Sequence, residues 1–528
     1  MSSGYVALIL HAHLPFVRRP EYEEFLEEDW LFEAITETYI PLIAMMQRLA
    51  SDGVPFKLTM TITPTLCAML DDPLLRQRYV QHLERLIKLA GREIERTQPD
   101  PELGELAKFY GKLFTECRQR FVEEWNCDLL AAFRSLRDAG VLEIIACAAT
   151  HGLLPLLQQS PEAVRAQILI GRDSYREHFG ADPVGFWLPE CAYAPGLERV
   201  LQEANLRWFV LDAHGLMFGN PRPNRAIYAP CYTPAGPAAF ARDRESSRQV
   251  WSAQEGYPGD PAYREFYRDI GWDLPIAYLS QNWPTRADRK FTGLKYYRVT
   301  GADVEKELYN PDQAEMVCDA HATHFLERRR EQINELRNFI PNPAVVIPFD
   351  AELFGHWWFE GPRFLELFIR KATFEQNEFR FTTPTKYLEE YPTQEVITPA
   401  ASSWGDKGYW EVWVDPSNAW IYPHLQAAAR RMTEAAQAAA AVGDVSPLSD
   451  RLLKQLAREL LLAQSSDWAF LMRAATAKDY AARRTTDHLL RFNRLHEQHL
   501  AGQIDEDFLS NCEWRDNLFP DVNWRYYL

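Results

Sequence analysis

Six short apolar runs in this 528-residue chain end in polar or ionisable residues, and this arrangement restricts the fold more than any other feature of the sequence. Tyr5–Leu10 leads into His11-Ala12-His13, Phe56–Ile62 into Thr63-Pro64, and Leu142–Ala149 into Thr150-His151-Gly152. Gly185–Leu188 runs to Glu190, Trp208–Leu211 to Asp212 and His214, and Val345–Phe349 to Asp350. Strands that are apolar almost throughout are buried on both faces, and when they alternate with helical stretches they read as βα units around a parallel sheet. A barrel or an open α/β sheet follows. In both, functional groups gather at the carboxyl ends of the strands, where these polar residues stand.

The strand signal stops between Asp71 and Gly140. Leu106, Phe109, Tyr110, Leu113, Phe114, Cys117 and Phe121 recur there at spacings of three and four, as one buried helix face does. A helical insertion over about 71–140 is expected. Residues 221–262, rich in Pro, Gly, Arg and Asp, read as a long exposed connection, and such connections are often functional. After an aromatic loop at 402–420 the chain turns helical over 425–442, 448–470 and 474–500, closing with the aromatic segment Trp514–Tyr527. The division expected is a barrel domain over 1–400 and a helical domain over 401–528.

Charge narrows the partners. With 57 basic against 74 acidic residues the chain carries −17, a balance that repels phosphate backbones and anionic lipid surfaces. Neither nucleic acid nor a membrane is an expected partner, and no uncharged run reaches the ~18 apolar residues of a membrane span. Met1–Leu10 lacks a basic leader and a small-residue cleavage site, so the chain reads as cytoplasmic. The cysteines at 67, 117, 127, 147, 191, 231, 318 and 512 never form a C-x-x-C pair, which fits a reducing compartment and neither a disulfide framework nor a thiolate zinc site. Sixteen Trp and twenty-three Tyr point toward sugars, whose C–H faces stack on flat rings; large cores and protein interfaces use aromatics too.

Glu190 stands in Gly185-Phe-Trp-Leu-Pro-Glu-Cys-Ala-Tyr193, delivered by an apolar strand into an aromatic turn, and Asp350 follows Val345-Val-Ile-Pro-Phe349. Two carboxylates at strand ends can share glycosidic chemistry, one attacking the anomeric carbon and one protonating the leaving oxygen. The plainer alternative is that each caps a helix or pairs with an arginine, and Glu352 competes with Asp350 for its role. His11-x-His13 also resembles the entry to a zinc hydrolase barrel, with His151 and Asp350 as further ligands. Neutral imidazoles there could instead bind sugar hydroxyls or satisfy the core. Ser402–Asp415 places three tryptophans between charges and glycines, as a stacking wall or as a plug between barrel and tail. Trp30 and Trp272 share that ambiguity, and Asp467 lies in a helical segment that could aim it into a cleft.

At these motifs the sequence closely resembles glycoside hydrolase family 57, and within it the branching members. The likeness rests on His11–Pro15, Glu28–Ala34, Trp187–Tyr193, Phe266–Trp272, Pro348–Trp358 and Ser402–Gly405, and spans nearly the whole chain. It implies an incomplete (β/α)7 TIM-like barrel with a helical insertion and a C-terminal helical domain, and a retaining mechanism with no metal and no cofactor. It makes Glu190 the nucleophile and Asp350 the general acid/base. His11, His13, Trp30, His151, Arg268, Trp272, Trp404, Trp413 and Asp467 become the substrate-binding residues. The activity implied is cleavage of an α-1,4-glucan such as amylose or glycogen with transfer to a 6-hydroxyl, by a monomer or weak homodimer. A family amylase or 4-α-glucanotransferase, a zinc-dependent hydrolase or deacetylase, and a non-catalytic glucan-binding protein are the alternatives. Branching members also carry a mobile loop tyrosine over the cleft; within 230–260 the loop centre Pro234–Phe240 has none, leaving Tyr232 or Tyr257.

Overall fold

A computed structural model describes residues 4–252, 255–283, 288–301 and 304–528. Seven parallel strands form the barrel: β1 (Gly4–Ala12), β2 (Leu58–Ile62), β3 (Leu142–Cys147), β4 (Gly185–Trp187), β5 (Trp208–Leu211), β6 (Ala238–Ala241) and β7 (Ala344–Asp350). They pair in the order β6-β5-β4-β3-β2-β1-β7. Between the ends of that row, β6 and β7 meet, among the described residues, only at the parallel bridge Arg242–Val346, where the Asp243 amide donates to the Val346 carbonyl at 2.8 Å. The barrel is therefore incomplete along one seam.

Period-two alternation fills its interior. Tyr5, Ala7 and Ile9 of β1, Ile145 and Cys147 of β3, Trp187, Trp208, Val210, Phe240 and Val346 form an inner apolar cluster, while the intervening residues pack against the surrounding helices. The next inward position of β1 after Ile9 is His11, whose register partner on β7 is Asp350. The apolar layers thus end in a polar one at the carboxyl edge.

The segment read as a helical insertion holds helices over Pro73–Thr97, Pro101–Gln119 and Leu129–Asp138, with the Leu106, Tyr110, Phe114, Cys117 and Phe121 side turned inward. The 221–262 stretch departs from the expected exposed connection. It contains β6, fully buried, with the antiparallel partner Cys231–Tyr232, which Glu395–Val396 extends. Its Ala-Ala-Phe-Ala sequence carries little β-branched signal, and burial against β5 decides its conformation. The tail forms helices over Ile421–Val442, Pro447–Ala463, Ser466–Ala474, Lys478–Ala501 and Glu506–Arg515. It docks on the barrel through polar anchors, including Arg18, which pairs with Asp72 at 2.8 Å and donates to the Trp514 carbonyl at 2.6 Å. No helix of the described residues is long and apolar enough to cross a membrane.

Candidate active site

β4 ends at Trp187, and the chain turns through Pro189–Cys191 with Glu190 at φ 61° and Cys191 at φ 48°, both left-handed. A non-glycine residue held there costs about 1–3 kcal/mol and persists only where its surroundings fix it. Here they do. The Trp404 amide donates to the Glu190 carbonyl at 3.1 Å, and the Tyr193 amide donates to Ser402 O at 2.8 Å. The turn presents the Glu190 carboxylate to two donors: Trp404 Nε1 lies 2.9 Å from Oε2, and Ser466 Oγ lies 3.0 Å from Oε1. Burial pushes this carboxyl up, while the Trp404 and Ser466 bonds pull it back.

Asp350 has no such support. No side chain among the described residues donates a hydrogen bond to it, and its carboxyl rises well above the usual range through burial first, then the nearby Glu352 and Glu190, against the pull of Arg242. Burial raises both acids, but two donors oppose the rise at Glu190 and none does at Asp350, so Asp350 is the one driven further toward its protonated form. Glu352, beside them, accepts from Tyr39 Oη at 2.5 Å and from the His13 amide at 3.1 Å, and burial pushes it up to about 7. Both bonds fall on Oε1, so Glu352 is tied to its neighbours, whereas Asp350 accepts from no side chain among the described residues.

The histidines complete a proton-ordered chain. Ser466 Oγ donates to Glu190, so it accepts from His151 Nδ1 at 2.9 Å; His151 Nε2 then accepts from His11 Nε2 at 3.0 Å. His11 Nδ1, left as a bare lone pair, is buried without a partner, and the His11 ring stacks on Trp187 at 4.5 Å. Burial and the charge of His13 hold both His11 and His151 neutral. His13 differs: burial opposes its charge, but Asp467, 3.0 Å from Nε2, together with Glu190 and Glu352 outweighs it and raises the imidazole. Asp467 is correspondingly lowered by His13 despite its burial.

Asp467 and Ser466 reach the barrel because the helix expected over 448–470 breaks at Gln464–Ser465. A new helix begins at Ser466, its amide donating to the His151 carbonyl at 3.1 Å while Ser465 bridges Gly152. Ser-Ser-Asp is a helix-start signature, and that signal points to Ser466, which the sequence reading passed over.

Of the sequence-predicted residues, His11, His13, His151, Glu190, Asp350, Trp404 and Asp467 come together at this edge. Trp413 does not join them as a stacking ring: it is 1% exposed and packs over Gly405, so close that a β-carbon there would lie 2.6 Å from its ring. It is a buried plug against Gly405. Trp30 packs edge-on to Tyr480; Arg268 pairs with Asp273 at 3.0 Å and lies over Tyr297; Trp272 is half exposed against Phe291. Neither tyrosine of the 230–260 segment overhangs the site. Tyr232 donates to the Pro392 carbonyl at 3.2 Å, and Tyr257 is buried between His321 and Phe364.

The zinc alternative fares differently from its expected ligand set. His13, His151 and Asp467 could jointly reach an ion; His11 and Asp350 are not in that group. Within that group His13 Nε2 is bonded to Asp467, and His151 Nδ1 to Ser466.

Residues 7–400 match the family described as glycosyl hydrolase family 57, and residues 424–527 match the C-terminal domain described for 1,4-alpha-glucan branching enzymes. The 1,4-alpha-glucan branching enzyme TK1436 of Thermococcus kodakarensis is 34% identical, the alignment covering 98% of this chain and 78% of that one. The crystal structure of the alpha-amylase AmyC of Thermotoga maritima superposes with a TM-score of 0.92 at 43% identity over 99% of both chains. That of the branching enzyme of Pyrococcus horikoshii does so at 0.88 and 34%, over 99% of this chain and 97% of that one.

Proposed function

The chain belongs to glycosyl hydrolase family 57, and on that footing we propose that it is a retaining 1,4-α-glucan branching enzyme with Glu190 as nucleophile and Asp350 as general acid/base. The observation that carries the assignment of roles is the unequal treatment of the two carboxylates, one given two hydrogen-bond donors and the other none. Glu190 attacks the anomeric carbon of an α-1,4-glucan as Asp350 gives its proton to the departing 4-oxygen. The glycosyl-enzyme is then displaced by the 6-hydroxyl of a second glucan, whose proton returns to Asp350. His11, His13, His151 and Asp467 line the donor sugar, neutral except for the His13–Asp467 pair.

A second reading, hydrolysis in the manner of an amylase, is favoured by one observation: the two tyrosines of the 230–260 segment are tied into the hairpin and the core, leaving water less opposed at the glycosyl-enzyme. Products separate the two. Amylose should gain α-1,6 linkages with few new reducing ends, and new reducing ends without α-1,6 linkages would assign the chain to hydrolysis. Glu190→Gln should abolish both outcomes while glucan binding survives.

A further inference from the structure

The Asp212–His214 pair at the end of β5 takes no part in the chemistry above, yet it grips the loop that carries Trp404. His214 Nδ1 lies 2.9 Å from Asp212 Oδ1, and His214 Nε2 lies 2.8 Å from the carbonyl oxygen of Gly408. A carboxylate and a carbonyl are both acceptors, so both ring nitrogens are placed as donors, an arrangement that only the imidazolium satisfies. Arg244 Nη2, 3.3 Å from Nδ1, could donate to a neutral ring, but the bare Nδ1 lone pair would then face the Asp212 oxygen at 2.9 Å. Arg244 serves that oxygen itself, at 3.4 Å. The bond to Asp212 raises His214 against its burial, with the Gly408 bond adding to the rise and Arg244 opposing it. Burial would raise Asp212, but its bond to His214 and the charges of Arg242 and Arg244 hold it low. On the loop side the ring meets Tyr409 edge-on at 5.6 Å.

Gly408 is the residue that lets the loop come this close. Its φ of 84° is left-handed, and a β-carbon there would lie 2.8 Å from the His214 ring. Its carbonyl also accepts from the Ser403 amide at 2.8 Å, so one oxygen both closes the turn Ser403–Gly408 and takes the histidine. Trp404 is the second residue of that turn; its amide donates to the Glu190 carbonyl at 3.1 Å and its indole to Glu190 Oε2 at 2.9 Å. Asp212 reaches the same tryptophan by a second arm. Arg242 Nη1 lies 3.6 Å from Asp212 Oδ2, and the Arg242 guanidinium lies 5.5 Å from the centre of the Trp404 ring. β5, the neighbour of β4 in the sheet, thus secures a donor to the carboxylate that β4 delivers.

We propose that His214 is a positioning residue for the nucleophile: as an imidazolium it clasps the Ser403–Gly408 turn and so keeps the Trp404 indole on Glu190, and the clasp opens when the ring loses a proton. The proposal rests on the reading of Glu190 as nucleophile. A neutral ring keeps one N–H, which the Asp212 carboxylate takes as the stronger acceptor, and the Gly408 carbonyl is left without its histidine donor. Because the folded protein holds the imidazolium above the ordinary histidine range, the clasp is complete below that range and is lost as pH rises through the raised value.

The test is glycosyl-enzyme formation from an activated α-glucosyl fluoride, whose leaving group needs no proton, so that the titration of Asp350 does not intrude. In the full chain that rate should fall about tenfold in alkali as the clasp opens, the loss of one hydrogen bond to a charged group. Asp212→Asn should move the fall to lower pH, and His214→Ala should give the lower rate throughout with no fall. In a Trp404→Phe background His214→Ala should cost less than about twofold, since the contact it protects is already gone. A rate that stays flat in alkali, a fall that Asp212→Asn leaves in place, or an equal cost of His214→Ala in both backgrounds overturns the proposal. If His214→Ala does not fold, Asp212→Asn decides by whether the fall moves. Should Glu190→Gln keep wild-type glycosylation, the nucleophile reading fails by itself. Histidine-labelled NMR of the full chain then reads the clasp: the resonance that Asp212→Asn shifts most must show both ring nitrogens protonated near neutral pH, and a neutral ring there overturns it.

Discussion

The Ser466 hydroxyl sits 3.0 Å from Glu190 Oε1, a contact that joins the C-terminal helices to the carboxylate at the end of β4. Ser466 also accepts from His151, so its single proton has one direction to go. Together with the Trp404 indole it offsets part of the rise that burial imposes on the Glu190 carboxyl.

Removing either donor should therefore raise the carboxyl of Glu190 further. Trp404→Phe and Ser466→Ala should each move the acid limb of kcat/KM for an activated α-glucosyl fluoride to higher pH, and the double variant further still. At about pH 6 each single variant should lose about ten- to a hundred-fold in turnover, matching ~1.5–3 kcal/mol for a hydrogen bond to a charged group. An unmoved limb would mean that these contacts merely pack.

For Asp350→Ala the dependence on leaving group is the readout. Glycosyl-enzyme formation from the fluoride, which departs without a proton, should persist while amylose turnover falls by several powers of ten. The intermediate should accumulate, and azide should partly rescue its breakdown, detected as a glycosyl azide. Equal losses on both donors would remove Asp350 from proton transfer.

Glu352→Gln tests how the third carboxylate tunes the second. The charge of Glu352 helps hold Asp350 protonated, so its removal should shift the alkaline limb of kcat/KM to lower pH. Stability should respond with the opposite sense. The folded protein holds Glu352 up to about 7, well above an unfolded glutamate near 4.5, so it binds the proton more tightly and loses stability as pH rises across that window. Glu352→Gln should consequently melt higher relative to wild type at about pH 8 than at about pH 4.5, as read by calorimetry.

The committed donors of His13, His151 and Asp467 lead to a chelator prediction. Dialysis against EDTA should leave branching and hydrolysis of amylose unchanged, and elemental analysis of the active protein should find no stoichiometric zinc. Loss of activity restored by zinc alone would reinstate the metal mechanism.

Much of the site could be read from alternation. A run such as Tyr5-x-Ala7-x-Ile9-x-His11 fixes which side of a strand faces the barrel interior, and the first polar residue on that side must stand at its mouth. β6 escaped because four residues rich in alanine carry almost no period of their own and take their strand form from β5. The break before Ser466 escaped because the apolar repeat runs on through it. The direction of Trp413 had no local signal at all: in a loop nothing but packing, here against Gly405, decides whether an aromatic faces solvent or core.

The seam at Arg242–Val346 has a mechanical meaning. A sheet closed by many rungs shares any distortion among them, but one closed at a single rung concentrates it there. Arg242 stands at that rung, whose hydrogen bond comes from the next amide, Asp243; its side chain donates to Ser247 at 2.8 Å and lies 5.5 Å from the centre of the Trp404 ring that bonds Glu190. The residue at the one rung that closes the barrel thus also lays its side chain against the ring that bonds Glu190, so the seam and the wall of the site share a residue.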